Sequence, residues 1–182
     1  MNIKKLIYIE ENFLNSDECK TFIDYVNASQ KENKENFFKQ VVDKVTSVCK
    51  SFDERSNLDY VGVARWPVGT FKEPHYDDSA RDHIFDIFAA LIYLNDDFSG
   101  GHTGFENFEI VPKTGQLCIF SNSQYKHHVT EVKDAERFVL SFWYNNDCKP
   151  RLVKTLKIQS INYDGATLTF IWYLHWLKLV IK

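Results

Sequence analysis

Residues 73–78 read Glu-Pro-His-Tyr-Asp-Asp, so an imidazole, His75, and a carboxylate, Asp77, stand two positions apart. On a β-strand, alternate side chains share a face, which aims both groups at the same point. Such a pair can fill two adjacent positions on one octahedral metal ion. A third ligand from elsewhere in the sheet would complete one face and leave three positions open, the 2-His-1-carboxylate arrangement that suits non-haem Fe(II). His-x-Asp is common by chance, so its meaning depends on what lies downstream. The stretch "SQYKHHVTEV" offers a third ligand at His127 or His128, far enough along the chain for several strands to return to the same mouth. Arg137 then opens the apolar run "RFVLSFWY". Its planar guanidinium can take a carboxylate through two parallel hydrogen bonds, as a dicarboxylic co-substrate would require.

Elements must exist to bring these residues together. "LIYIEENFL" (6–14) reads as a strand, and Asn15 and Ser16 cap a helix that runs to about Asn27. A second helix is expected over 35–52, where Phe38, Val41, Val42, Val45, Val48 and Cys49 recur at helical spacing. From about Asp59 the period changes to short apolar runs separated by "PVGT", "NDDFSGG", "VPKTG" and "KDAE". Many short strands with regular turn signals indicate a sandwich or barrel. Because the helices precede the strands, they should buttress an antiparallel β-core.

The motifs converge on a known pattern. "VARWPVGTFKEPHYDD", "ALIYLNDDFSGGHTGFENFEIVPKTGQLCIF" and "HHVTEVKDAERFVLSFWY" resemble, in order, the H-x-D, Y-L-N strand, G-G-x-T loop, P-x-x-G turn and H-x-V…R…L-x-x-W of the prolyl 4-hydroxylase-like branch of the 2-oxoglutarate- and Fe(II)-dependent oxygenases. The resemblance covers about residues 60–144. It implies a mainly β fold, a double-stranded β-helix or jelly roll, over 59–146, with helical support in 1–58. It also implies that His75, Asp77 and His127 ligate the metal, His127 being chosen by the H-x-V pattern, so that His128 points to the opposite face. Arg137 would bind the far carboxylate of 2-oxoglutarate, with Ser141 on the same strand face and Tyr93 as further candidates for the co-substrate pocket. O₂ would be the second co-substrate and ascorbate the reductant. The glycines of "SGG" and Gly115 are assigned to turns, and Trp143 to the core. Two residues depart from the pattern: Trp66 stands where the branch often has tyrosine, and His102 where it frequently has an acid.

The implied activity is hydroxylation of a peptidyl proline, with a free amino acid or other small molecule as the alternative substrate and an inert jelly-roll binding module as the non-enzymatic alternative. The carboxylate at Asp77 favours hydroxylation over halogenation. A nucleic-acid partner is not expected, because the net charge is −3 and "ERFVLSFW" lacks the additional arginine typical of demethylating relatives. With 182 residues and 44% apolar content, the chain reads as one folded domain.

Four widely spaced cysteines without a C-x-x-C pair point to reduced thiols. Acidic residues from Glu10 onward interrupt any leader-like apolar core, and no apolar run is long enough to span a bilayer, so a cytoplasmic location is expected. Residues 151–182 form an apolar, net +4 extension, read as a hairpin about Asp164–Gly165 or a helix packed on the core, and alternatively as an exposed patch for self-association or an interfacial membrane contact.

Overall fold

The computed structural model describes residues 6–28, 34–77, 86–146, 158–163 and 166–171. Its first strand, β1 (Ile7–Glu10), is shorter than the apolar pattern suggests. Asn12 takes a left-handed φ of 57° and turns the chain, so Phe13 and Leu14 enter the core from a loop. Helix α1 (Ser16–Asn27) follows at once, begun by a capping box. The Asn15 side chain accepts from the Glu18 amide, and the Glu18 carboxylate accepts from the Asn15 amide. Two orphan donors of the first turn are thereby satisfied. Helix α2 (Glu35–Phe52) buries Phe38, Val41, Val42, Val45 and Cys49 along one stripe, as its spacing predicts.

The strands that follow form two facing antiparallel sheets. The larger has the order β1–β8–β4–β11–β2, built from β2 (Asn57–Trp66), β4 (Asp86–Tyr93), β8 (Leu117–Ser121) and β11 (Arg137–Asn145). The smaller has the order β3–β9–β6–β7, from β3 (Lys72–His75), β6 (Thr103–Gly104), β7 (Glu109–Ile110) and β9 (His127–Val129). A two-stranded ribbon, β5 (Ser99–Gly100) with β10 (Val132–Lys133), joins them at one side. Strands β12 (Ile158–Tyr163) and β13 (Ala166–Ile171) pair with each other, and β13 runs alongside β2. Asp164 and Gly165, residues 172–182 of the apolar tail, Cys148, His83 and His175 lie outside the described residues. Among the described residues, no helix is long and apolar enough to cross a membrane.

Alternation on the central strands divides the interior in two. Phe138, Leu140, Phe142 and Tyr144 of β11 join Phe88, Ala90 and Ile92 of β4, Leu117 and Ile119 of β8, and the apolar faces of both helices. The intervening residues face the smaller sheet: Val139, Ala89, Tyr93, Cys118 and Phe120 pack with Phe105 and Ile110. Side-chain parity thus gives one layer to the helices and the other to the space between the sheets. Arg137, Ser141 and Trp143 belong to the second set.

Candidate metal centre and co-substrate pocket

Strands β3 and β9 pair with His75 directly opposite His127. Their rings lie 4.4 Å apart between centroids, and the chain leaving β3 brings Asp77 back between them. Asp77 Oδ1 is 3.3 Å from His75 Nε2 and 3.5 Å from His127 Nε2. One ligand atom from each of the three lies within 4.8 Å of those from the other two, and no other group of this kind occurs among the described residues. Ligands at right angles about an ion with ~2.1 Å bonds stand roughly 3 Å apart, so little movement would close this set onto a metal.

The supporting contacts orient all three side chains. His75 Nδ1 lies 2.7 Å from the Glu73 carbonyl, and His127 Nδ1 lies 3.4 Å from that of Tyr125. A carbonyl against Nδ1 places the proton there and leaves the Nε2 lone pair for a metal, the usual arrangement around ligating histidines. Phe120 packs on the His127 ring at 4.8 Å. Trp143 donates its indole N–H to Asp77 Oδ2 at 2.9 Å. Burial works to raise the Asp77 pKa. The hydrogen bonds from His127, His75 and Trp143 outweigh it and hold the carboxyl well below the usual carboxylate range. For His75, desolvation favours the neutral ring, yet the contacts to Asp77 and the Glu73 carbonyl together leave its pKa raised.

Arg137 begins β11 and is 2% exposed. Its guanidinium carbon sits 5.3 Å from the Trp66 ring centre and 5.5 Å from that of Tyr93. Nη2 donates to Thr103 Oγ1 at 3.3 Å, whereas buried Nε has no hydrogen-bond partner. Burial pushes its pKa down to about 10, with Tyr93 acting in the opposite sense, so the group is a cation at neutral pH. A buried cation lacking a carboxylate partner among the described residues is costly, and the pocket that holds it is built for an anion. This is the fit required of a dicarboxylate co-substrate.

Residues 61–145 match the family model of the 2OG-Fe(II) oxygenase superfamily. The match covers just under half of the chain and makes that segment similar to the superfamily. A putative prolyl 4-hydroxylase of Acanthamoeba polyphaga mimivirus is 28% identical over 120 residues, covering 54% of this chain and 50% of that protein. The chain therefore spans about half the length of this curated relative. Among solved structures, the viral collagen prolyl hydroxylase of Paramecium Bursaria Chlorella virus-1, in complex with 2-oxoglutarate, superposes with a TM-score of 0.61. It is 21% identical, over 76% of this chain and 94% of that one. A Pseudomonas putida prolyl-4-hydroxylase gives 0.65 at 17% identity, over 78% and 92%. These likenesses establish the double-stranded β-helix expected for 59–146. Fe(II) and 2-oxoglutarate are the cofactor and co-substrate that similarity to this family implies.

Around this centre, the remaining candidates fall in several places. Tyr93 is fully buried beside Arg137, and its hydroxyl donates to Thr103 Oγ1 at 2.7 Å. Ser141 is buried on the same face of β11 as Arg137, opposite Leu91 of β4 and Gly62 of β2. His128 points away from the metal cluster, with Nε2 3.9 Å from Glu109 Oε1, while His102 Nδ1 is 2.8 Å from the other oxygen of that carboxylate. The His128 ring covers Gly104, where a Cβ would lie 2.1 Å from Nε2. Gly101, assigned to a turn by sequence, also makes room for the pocket. At φ +60°, its Cβ would lie 2.9 Å from Arg137 Cδ.

Two participants were not legible beforehand. Thr103 was read only as part of a loop motif, yet its hydroxyl is the contact common to Tyr93 and Arg137. Trp143 was assigned to the core, and instead it is half-buried, packed at a tilt against Tyr60 at 4.9 Å, with its N–H on Asp77. The third-residue step from Leu140 to Trp143 was the available signal, because it puts the indole on the face that carries Arg137 and Ser141.

Proposed function

We propose that the protein is an Fe(II)- and 2-oxoglutarate-dependent hydroxylase acting on a peptidyl proline. The observation that carries this reading is the pairing of the His75–Asp77–His127 cluster with a buried, uncompensated Arg137 behind it. When bound, Fe(II) with 2-oxoglutarate and O₂ would supply an oxidising centre for an unactivated C–H bond, one oxygen atom going to the substrate and the other to succinate as CO₂ leaves.

The chain's own residues do the rest. His75 and His127 offer Nε2 atoms, and ionised Asp77 offers Oδ1, so the protein contributes one face of ligands and leaves the other open. Arg137 receives the distal carboxylate and fixes which end of the dicarboxylate reaches the metal. With both Thr103 lone pairs engaged by Tyr93 and Arg137, its own hydroxyl proton is free to donate to that carboxylate. Trp66 and Tyr93 wall the guanidinium from water, which strengthens each of these contacts.

Support for peptidyl proline comes from what the relatives are called. The mimivirus relative is a putative prolyl 4-hydroxylase. A structural neighbour from Trichoplax adhaerens (TM-score 0.59, 19% identical) is a prolyl hydroxylase in complex with a hypoxia inducible factor peptide fragment. The segment bearing His75 also carries exposed Val68, Phe71 and Tyr76, apolar surface suited to an extended peptide. The test is succinate formation from 2-oxoglutarate with Fe(II) and ascorbate, with and without a proline-rich peptide. Stimulation by the peptide, with a mass gain of one oxygen on proline, is expected. Turnover indifferent to peptide would move the substrate to a free amino acid or another small molecule. Absence of turnover with iron bound would leave a jelly-roll binding module.

A further inference from the structure

We infer that Trp143 is a positioning residue that limits Asp77 to a single metal bond, and so keeps open a coordination position for a small molecule beside the chelating 2-oxoacid. The inference rests on the proposed metal and 2-oxoglutarate sites and concerns the number of positions the protein itself consumes.

The two oxygens of Asp77 have different surroundings. Oδ1 faces both ligand nitrogens, at 3.3 Å and 3.5 Å. Oδ2 accepts the indole N–H of Trp143 at 2.9 Å. An aspartate carboxylate can bind a metal through one oxygen or both. Six octahedral positions less three protein ligands leave three, enough for a chelating 2-oxoacid and one small molecule. A second bond from Asp77 would leave two, which the chelating 2-oxoacid would fill, with none left for the small molecule. A hydrogen bond to an ionised acceptor is among the stronger neutral-donor contacts, and indole has no acceptor role that could reverse it. Asp77 lies beyond the end of β3, in a segment without ladder hydrogen bonds to fix its orientation, so a side-chain contact must do so.

Trp143 is placed to act as this restraint. It lies within β11, paired to β2 on one side and β4 on the other, and its ring packs at a tilt against Tyr60 of β2. The register of β11 against β2 shifts just after Trp143, whereas its pairing with β4 stays regular through Tyr144. A rigid central strand of the larger sheet thereby sets the orientation of a ligand carried by the smaller one.

The experiment uses the full chain and Trp143→Phe, which keeps an aromatic ring and removes the donor. Thermal melting reports folding, anaerobic Co(II) titration with visible d–d spectra reports the metal site, calorimetry on the Co(II) form reports 2-oxoglutarate affinity, and azide added to the Co(II)–2-oxoglutarate form reports the remaining position. The expected result is an unchanged melting temperature, a Co(II) dissociation constant equal to or tighter than that of the parent, an altered Co(II) spectrum, retained 2-oxoglutarate binding and azide affinity weakened tenfold or more. Unchanged spectrum and azide affinity would overturn the proposal. Loss of Co(II) binding at unchanged stability would overturn it too, since the indole would then build the site instead of limiting it.

Should Trp143→Phe melt early, the unsubstituted protein still decides. Loaded with Zn(II) and 2-oxoglutarate, its Trp143 indole N–H should remain protected from hydrogen exchange in ¹H–¹⁵N spectra, and free exchange would refute the contact. If the parent chain bound neither Co(II) nor 2-oxoglutarate, the proposed function would fail, a result separate from any effect of Trp143.

Discussion

Replacing Arg137 by methionine should raise the stability of the ligand-free protein and remove its response to 2-oxoglutarate. Burial pushes the guanidinium pKa from its ordinary 12.5 down to about 10. At ~1.4 kcal/mol per unit, that is an unfavourable contribution of about 3 kcal/mol at neutral pH, which the uncharged side chain does not carry. Methionine keeps an unbranched apolar stem and gives up the guanidinium that lies against Trp66 and Tyr93. Breaking one side of a buried ion pair costs ~3–5 kcal/mol, or roughly 10²–10⁴-fold in dissociation constant. In the parent, 2-oxoglutarate at a hundred times its dissociation constant should stabilise by ~2.7 kcal/mol. For a chain of this length, that is a rise of about 5–11 °C in melting temperature. The assay is differential scanning calorimetry of the Ni(II)-loaded proteins with and without 2-oxoglutarate. The variant should melt a few degrees higher alone and shift by less than about 1 °C on ligand addition. A lower melting point together with a retained ligand shift would refute the reasoning, because Arg137 would then be structural and the carboxylate would bind elsewhere.

Three further outcomes are expected. His127→Ala should abolish Co(II) binding, whereas His128→Ala should leave its dissociation constant within about threefold (under ~1 kcal/mol), since the two rings face opposite sides of the sheet; the reverse pattern in a Co(II) titration would exchange their roles. Gly101→Ala should destabilise the fold by about 1–3 kcal/mol and weaken 2-oxoglutarate, because a Cβ at positive φ would press on the Arg137 stem; urea unfolding and calorimetry measure both. Burial pushes the Cys49 and Cys118 thiols up to about 12, so between pH 9 and 12 the unfolded chain ionises them and the native one does not. Stability should then fall with rising pH by ~1.4 kcal/mol per unit for each thiol, and Cys118→Ala should make the urea midpoint measurably less steep in pH.

The strands and helices were legible because parity and helical spacing are local properties. Phe38, Val41, Val45 and Cys49 mark the buried stripe of α2 unaided, and the inward positions of β11 can be counted from Arg137. The end of β1 was not legible, because Asn12 adopts a left-handed turn that the apolar run 6–14 conceals. In the candidate site, types and spacing separated His75, Asp77 and Arg137 from their neighbours. The relation of Thr103 to Arg137 could not be read this way. A threonine in a glycine-rich loop looks like turn chemistry until a tertiary contact from 34 residues away gives its hydroxyl a partner. Trp143 was obscured for a different reason. Its ring is apolar enough to pass for core, and the single polar atom that matters is visible only when Asp77 is beside it.

The ring of His128 seated over Gly104 has a mechanical consequence. Strand β9 is three residues long and held by few ladder hydrogen bonds, so a slide of one position along its neighbours would cost little backbone energy. Such a slide would turn His127 outward and His128 inward. The imidazole lying where Gly104 lacks a side chain acts as a tooth in a notch, and only one alignment lets it seat. Of two consecutive histidines, the one that meets Asp77 is selected by an absent methyl group on the far side of the sheet.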